Sequence, residues 1–214
     1  MKDLSNYRKS YSKSELIETN IPKNPMDLFN SWFQEVEAFG GVEEVNAMTI
    51  STIGLDNFPK SRVVLLKKIE SDGFIFYTNY ESEKGKAIVS NPNVCLSFFW
   101  ESIERQVIIK GVAAKTSVET SDTYFKSRPD GSKLGALASA QSEVIPDRLF
   151  LETKLHDLEL QFDGKEIPRP EIWGGFLVKP IEIEFWQGRP NRLHDRIRYK
   201  KISNFDWKIV RLSS

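Results

Sequence analysis

Six cations crowd one short segment of the chain: Arg189, Arg192, Arg196, Arg198, Lys200 and Lys201, with His194 and Asp195 among them and Phe185-Trp186 just before. Guanidinium forks match phosphate geometry and an indole offers a stacking surface, so this composition suits a pocket for an anion carried on a planar ring. The same residues also suit a solvated basic face, and the segment by itself leaves both readings open. Arg62 and Lys67 bracket the apolar Val63-Val64-Leu65-Leu66. Residues five apart point to opposite faces of a regular strand, so these two line one pocket only if the strand is twisted or bulged. Arg128-Pro129-Asp130-Gly131-Ser132 reads as a turn. A lone histidine such as His194 is more often a hydrogen-bonding residue of surface or core than a catalyst.

Other chemistries lack their residues. There is no Cys-x-x-Cys, His-Glu-x-x-His or EF-hand loop, and two well-separated histidines, His156 and His194, make no zinc site, so no metal is expected. Gly85-Lys86 resembles the end of a P-loop, but Tyr80 and Ala87 occupy positions that need glycine and Ser or Thr. Neither a Gly-x-Ser-x-Gly elbow nor a Gly-x-Gly-x-x-Gly turn occurs. The 30 Lys and Arg balance 30 Asp and Glu, so no global field favours nucleic acid or anionic membrane. The single Cys95 forms no internal disulfide, and neither an apolar leader nor a membrane-length apolar run is seen. A soluble, cytoplasmic protein is therefore expected. With 214 residues, 40% of them apolar, the chain is long enough to bury one sizeable core.

Residues 1–23 are polar and without sustained periodicity, which predicts a flexible N-terminal arm ahead of a single domain over 24–214. Asn24-Pro25 with Asp27 predicts a capped helix start, and Leu28, Trp32, Val36 and Phe39 recur at helical spacing until Gly40-Gly41. Met48, Ile50 and Thr52 alternate with polar neighbours as in a half-buried strand, and Lys60 to Ile69 is its return. Further strands are expected at Phe74 to Thr78, Val94 to Glu101, Arg105 to Lys115, Trp173 to Val178, Ile181 to Trp186 and Trp207 to Leu212. Helices are expected from about Ser82, over Val118 to Ser127, Ser132 to Ala140 and Asp147 to Phe162. Leu151, Leu155, Leu158 and Phe162 form an apolar stripe on the last. Six or seven antiparallel strands with flanking helices make a mainly β, α+β barrel or sandwich, because the strand breaks are too short for crossover helices.

Six blocks carry a resemblance. "SRVVLLK" (61–67), "FYTNYESEKGKA" (76–87), "ERQVIIKG" (104–111), "YFKSRPDGSKLGALASAQS" (124–142), "WGGFLVKPIEIEFWQG" (173–188) and "RLHDRIRY" (192–199) closely resemble the pyridoxine (pyridoxamine) 5'-phosphate oxidase family. The resemblance runs from about Pro25 to the C-terminus. It implies an antiparallel, FMN-binding split β-barrel that works as a homodimer with FMN at the subunit interface. Carried over by position, it places Arg62 and Lys84 at the FMN phosphate, with the backbone from Arg62 to Lys67 beside the flavin. Tyr77, Thr78, Gln106, Gln141, Ser142, Trp186 and Arg196 match further FMN contacts. Lys67, Tyr124, Arg128 and Ser132 match the holders of the substrate's own phosphate. Arg192 and His194 match the pair at the reacting face, and Arg8 and Tyr11 match an arm that folds over the substrate. The implied reaction oxidises pyridoxamine or pyridoxine 5'-phosphate with dioxygen to pyridoxal 5'-phosphate, releasing hydrogen peroxide and, from the amine, ammonia. Neither nucleic acid nor membrane is an expected partner.

One position departs from the family's pattern. Ser82-Glu83-Lys84 carries an acid where an arginine is usual, and a carboxylate beside a phosphate is unfavourable, so Glu83 is expected to turn to solvent and to weaken FMN binding. Two other functions remain to be weighed: a split-barrel flavoprotein acting on a different ring, such as a flavin reductase, and a non-catalytic binder of FMN or pyridoxal phosphate.

Overall fold

The computed structural model describes residues 1–203 and 206–214. Eight strands and five α-helices are present among them: α1 (Pro25–Phe39), β1 (Ala47–Ile53), β2 (Pro59–Glu70), β3 (Gly73–Asn79), α2 (Glu83–Ser90), β4 (Asn93–Trp100), β5 (Arg105–Lys115), α3 (Val118–Lys126), α4 (Asp130–Ala138), α5 (Arg148–Gln161), β6 (Trp173–Gln187), β7 (Asp195–Lys201) and β8 (Trp207–Arg211). The strands follow the order β3-β2-β1-β4-β5-β6-β7-β8, and β3 also pairs with β6, closing the first six into an antiparallel barrel. Closure leaves those six without a free edge. No helix of the described residues is long and apolar enough to cross a membrane.

Local chemistry explains most element ends. The Asn24 side chain accepts the Met26 N–H to cap α1, with Pro25 in its first turn, and Gly40 at φ 75° ends it. Ser82 caps α2 by accepting the Gly85 N–H, and Asp147 caps α5 by accepting from Phe150. On β1 the alternation holds, with Met48, Ile50 and Thr52 buried.

Three expectations need correction. The tail from Trp173 to Gln187 is one strand, not two. Val178 is paired with Phe74 of β3 and Glu182 with Lys200 of β7, so Pro180 falls where one partner gives way to the other and its missing N–H costs little. The cationic segment Asp195–Lys201 is itself strand β7, where no strand was expected. Ile197 and Tyr199 face the core while arginines and lysines alternate outward. Helix α4 begins at Asp130, not Ser132, because Ser132 and Lys133 already donate to the Pro129 carbonyl.

Two compact units share the chain. The first comprises Met1–Ile50, Cys95–Gly111 and Pro180–Ser214, and the second Ser51–Val94 and Val112–Lys179. In the first, α1 lays Phe29 and Trp32 against Phe98, Trp100 and Phe185, with edge-on ring contacts at 5.1 Å (Trp32–Phe185) and 5.2 Å (Phe29–Phe98). Buried Arg105 ties this core to polar groups, its Nε donating to Gln187 at 2.8 Å and its Nη1 meeting Glu35 at 2.7 Å. The residues ahead of α1 bury Leu16 in the same unit. In the second unit, Phe125, Leu134, Ile167 and Trp173 form a small core, against which rest Leu155 and Leu158 of α5 and Phe162 just past its end.

Candidate active site

A cavity of about 500 Å³ opens in the second unit. Arg62, Val63, Val64 and Leu65 all border it, so the backbone of β2 and not one face of the strand meets the space. Lys67 borders it too, and the reason is a bulge: Leu66 pairs with Phe76 but Lys68 with Ile75, leaving Lys67 as the extra residue. This irregularity is what brings Arg62 and Lys67, five apart, to one cavity.

Three near-parallel rings also line the cavity. Tyr77 and Tyr124 stack with centroids 3.8 Å apart at 14°, and Trp173 lies 5.6 Å from Tyr77 at 10°. The Arg128 guanidinium sits 4.5 Å from the Trp173 ring centre. Its Nη1 is buried without a hydrogen-bond acceptor. Burial pulls the Arg128 pKa below its ordinary value, against the opposing influence of Tyr124. Trp173 was not among the expected site residues, and an aromatic directly ahead of Gly174-Gly175 at a strand start is the signal that marks it.

Lys84 projects from α2 into the same cavity. Its Nζ donates to three neutral oxygens, Gln141 Oε1 at 3.0 Å, Thr78 Oγ1 at 3.2 Å and Ser82 Oγ at 3.4 Å. Burial draws its pKa down and the Arg62 charge draws it further, against Glu83. Gly85 allows this placement, because a Cβ there would collide with the Tyr80 carbonyl. Ser142, which also borders the cavity, holds φ 75°, a left-handed conformation uncommon outside glycine. Among the described residues, Lys67, Lys84 and Arg128 have no ion-pair partner, so their charges are available to an anion.

Glu83 does not turn away to solvent, as expected from sequence. It bridges two cations, with Oε1 2.5 Å from Lys60 Nζ and Oε2 3.1 Å from Arg62 Nη2. The hydrogen bond from Lys60 is the main reason its pKa lies below the ordinary carboxylate value. Arg62 thus already has a counter-charge. Ser132, expected beside Arg128, is exposed on the first turn of α4 and does not border the cavity.

The remaining expected residues belong to the first unit. Trp186 and His194 lie 4.7 Å apart at 46°, and Tyr11 meets Trp186 edge-on at 5.7 Å and His194 at 5.8 Å. His194 Nδ1 accepts the Arg189 backbone N–H at 3.1 Å, which leaves the proton of the neutral ring on Nε2. Burial lowers the His194 pKa and the Arg192 charge lowers it further, with Asp195 opposing. The neutral imidazole is therefore a donor through Nε2 near pH 7. Asn191 and Arg192 hold φ 59° and 61°, and the Ser214 hydroxyl braces the turn by donating to the Arg192 carbonyl and accepting the His194 N–H. Arg196 is paired with Glu184 at 2.7 Å, and Gln106 donates to Ser97 at 3.4 Å. Arg8 is exposed and donates to the Ser5 carbonyl at 3.1 Å.

Comparison with known proteins bears on this arrangement. Residues 33–162 match the family described as "Pyridoxamine 5'-phosphate oxidase", and residues 173–214 match "Pyridoxine 5'-phosphate oxidase C-terminal dimerisation region". A protein of Flavobacterium johnsoniae named pyridoxine/pyridoxamine 5'-phosphate oxidase is 73% identical over 214 residues, covering 100% of both chains. One of the same name from Christiangramia forsetii is 56% identical over 99% of both. Among solved structures, PhzG from Burkholderia lata, determined with tetrahydrophenazine-1-carboxylic acid, superposes with TM-score 0.87 at 27% identity, over 95% of this chain and 100% of that one. A match of this identity along the whole length, on a closed antiparallel barrel, means that the chain belongs to the pyridoxine/pyridoxamine 5'-phosphate oxidase family.

Proposed function

We propose that this protein oxidises pyridoxamine 5'-phosphate and pyridoxine 5'-phosphate to pyridoxal 5'-phosphate with FMN as cofactor and dioxygen as acceptor. The observation that carries the reading is the cavity of the second unit, where Lys67, Lys84 and Arg128 have no ion-pair partner among the described residues and stand with stacked aromatic rings. Such a donor set fits phosphorylated planar molecules, and the buried Arg128 Nη1 without an acceptor fits a phosphate oxygen in particular. When bound, FMN supplies the chemistry of accepting a hydride equivalent and passing electrons to dioxygen.

The chain's own residues bind and orient. Arg62 and Lys84 serve the cofactor phosphate, while Tyr77, Thr78, Gln106, Gln141, Ser142, Trp186 and Arg196 supply further cofactor contacts. Lys67, Tyr124 and Arg128, which border the cavity, hold the substrate phosphate, a remote anchor whose binding energy aligns the reacting carbon. Arg192 contributes a fixed positive charge on the substrate. His194 donates from Nε2 to the substrate's hydroxyl or amine, because its Nδ1 is already engaged by Arg189. The C-terminal match supports a homodimer, and we place FMN at its interface.

The test is an aerobic assay of the FMN-loaded protein with pyridoxamine 5'-phosphate, following pyridoxal phosphate and peroxide together. Equal amounts of both are expected. Bound FMN with neither product would overturn the reading in favour of a split-barrel flavoprotein acting on another ring.

A further inference from the structure

Glu104 is a buried carboxylate that neither the cavity nor the His194 turn uses. It follows a 3-10 turn in a left-handed conformation (φ 58°, ψ 42°), and its side chain is 2% exposed. A carboxylate so placed needs hydrogen bonds to offset its desolvation. It finds them in a segment more than 90 positions away: Oε2 accepts the backbone N–H of Ser12 at 2.8 Å and of Lys13 at 3.0 Å, and Oε1 faces Lys9 Nζ at 3.5 Å. Burial alone would raise its pKa, but these donors outweigh it and the net shift is downward.

Gly188 forms the other half of the seat. Its N–H donates to the Glu104 carbonyl at 2.8 Å, and a Cβ there would come within 2.8 Å of Tyr11 Cβ and 3.1 Å of Glu104 Cβ. Tyr11 thus meets Trp186 and His194 at a place where position 188 has no side chain and the two residues after Tyr11 are held by Glu104. Farther along, Arg189 donates to the Ser14 carbonyl and Asp195 accepts the Leu16 N–H, so the strap is tied at several points but Tyr11 is flanked by Glu104's.

We infer that Glu104, with Gly188, is a positioning residue: it docks the segment from Lys9 to Lys13 so that the Tyr11 ring closes over His194 and tightens substrate binding. The inference rests on the proposed oxidase function, in which His194 faces the substrate. Without the charge on residue 104, two backbone N–H groups lose a charge-assisted acceptor and Tyr11 leaves its place for part of the time.

The experiment uses FMN-loaded wild type, Glu104→Gln, Gly188→Ala and Gly188→Ala with Tyr11→Ala. Three quantities are read: KM and kcat for pyridoxamine 5'-phosphate, the rate of tryptic cleavage after Lys9 and Lys13, and FMN affinity. Either single variant should raise KM about tenfold, the scale of losing one charge-assisted hydrogen bond, with kcat and FMN affinity near wild type and cleavage faster. The double variant should add nothing to Gly188→Ala. Faster cleavage with wild-type KM would overturn the positioning role while leaving the oxidase function standing. If the wild type makes no pyridoxal phosphate, the oxidase reading itself falls. Docking is then judged by cleavage alone, and equal rates in all four proteins would overturn it.

Discussion

Replacing Lys84 by methionine should separate the cost of this residue to the fold from its value to the cofactor. Methionine keeps the length and apolar stem but removes an ammonium whose neighbours are three neutral oxygens, those of Gln141, Thr78 and Ser82. Without ligand, burial lowers the pKa of Lys84 from its ordinary 10.5. A lysine with a depressed folded pKa destabilises the fold fully at pH values below that pKa, and the penalty is relieved only as pH rises towards the unfolded value. Wherever the ammonium stays charged in the folded chain that penalty is present in full, and methionine removes it at the expense of one donor for three oxygens. The net change in apoprotein stability should stay within about 1 kcal/mol of zero. With FMN bound the sign reverses. A charge-assisted hydrogen bond is worth roughly 1.5–3 kcal/mol, and allowing for the part of the ammonium open to solvent leaves about 1–2 kcal/mol, or about five- to thirtyfold in Kd. Flavin fluorescence titration gives the affinity, and thermal unfolding with and without FMN gives the linked stabilisation. The expected pattern is an apoprotein Tm within about 2–4 °C of wild type with a smaller FMN-induced rise. An apoprotein that melts several degrees lower but binds FMN normally would show that Lys84 is structural and refute the argument.

Other substitutions test neighbouring points. Glu83→Arg frees Arg62 from its carboxylate partner and adds a cation, so FMN should bind more tightly; unchanged or weaker affinity would sink this account of Glu83. Arg192→Ala should reduce kcat/KM far more than FMN content, and wild-type turnover would reject its assignment to the substrate. In the same variant the His194 imidazole should titrate at higher pH than in wild type, where burial and the Arg192 charge hold its pKa below the ordinary histidine value, and an unmoved NMR titration would contradict the influence of Arg192. Ser214→Ala removes the hydroxyl that bridges the Arg192 carbonyl and the His194 N–H, and should lower kcat severalfold with Tm nearly unchanged.

Much of this protein is legible in its sequence because the signals are local. Asn24 and Ser82 announce helix starts through hydrogen bonds spanning two or three residues, and the period-two burial of β1 follows from its own side chains. The six motifs identify the family for a related reason, since short contiguous blocks hold most of the cavity's polar residues. What stayed hidden depends on partners distant in the chain. Strand β7 looks like a basic patch until Ile197 and Tyr199 are seen buried between β6 and β8, where cross-strand pairing and not composition decides its state. Along the chain Pro180 predicts a break in β6, and only the change of partner from β3 to β7 shows why the strand continues. Glu83 finds Lys60 and Arg62 because the start of α2 and strand β2 meet in space. Lys67 shares a cavity with Arg62 because the pairing of β2 with β3 slips by one residue. Caps, turns and alternation are set by neighbours along the chain; register, counter-charge and cavity are set by which strands pair, and that is decided only when the whole sheet closes.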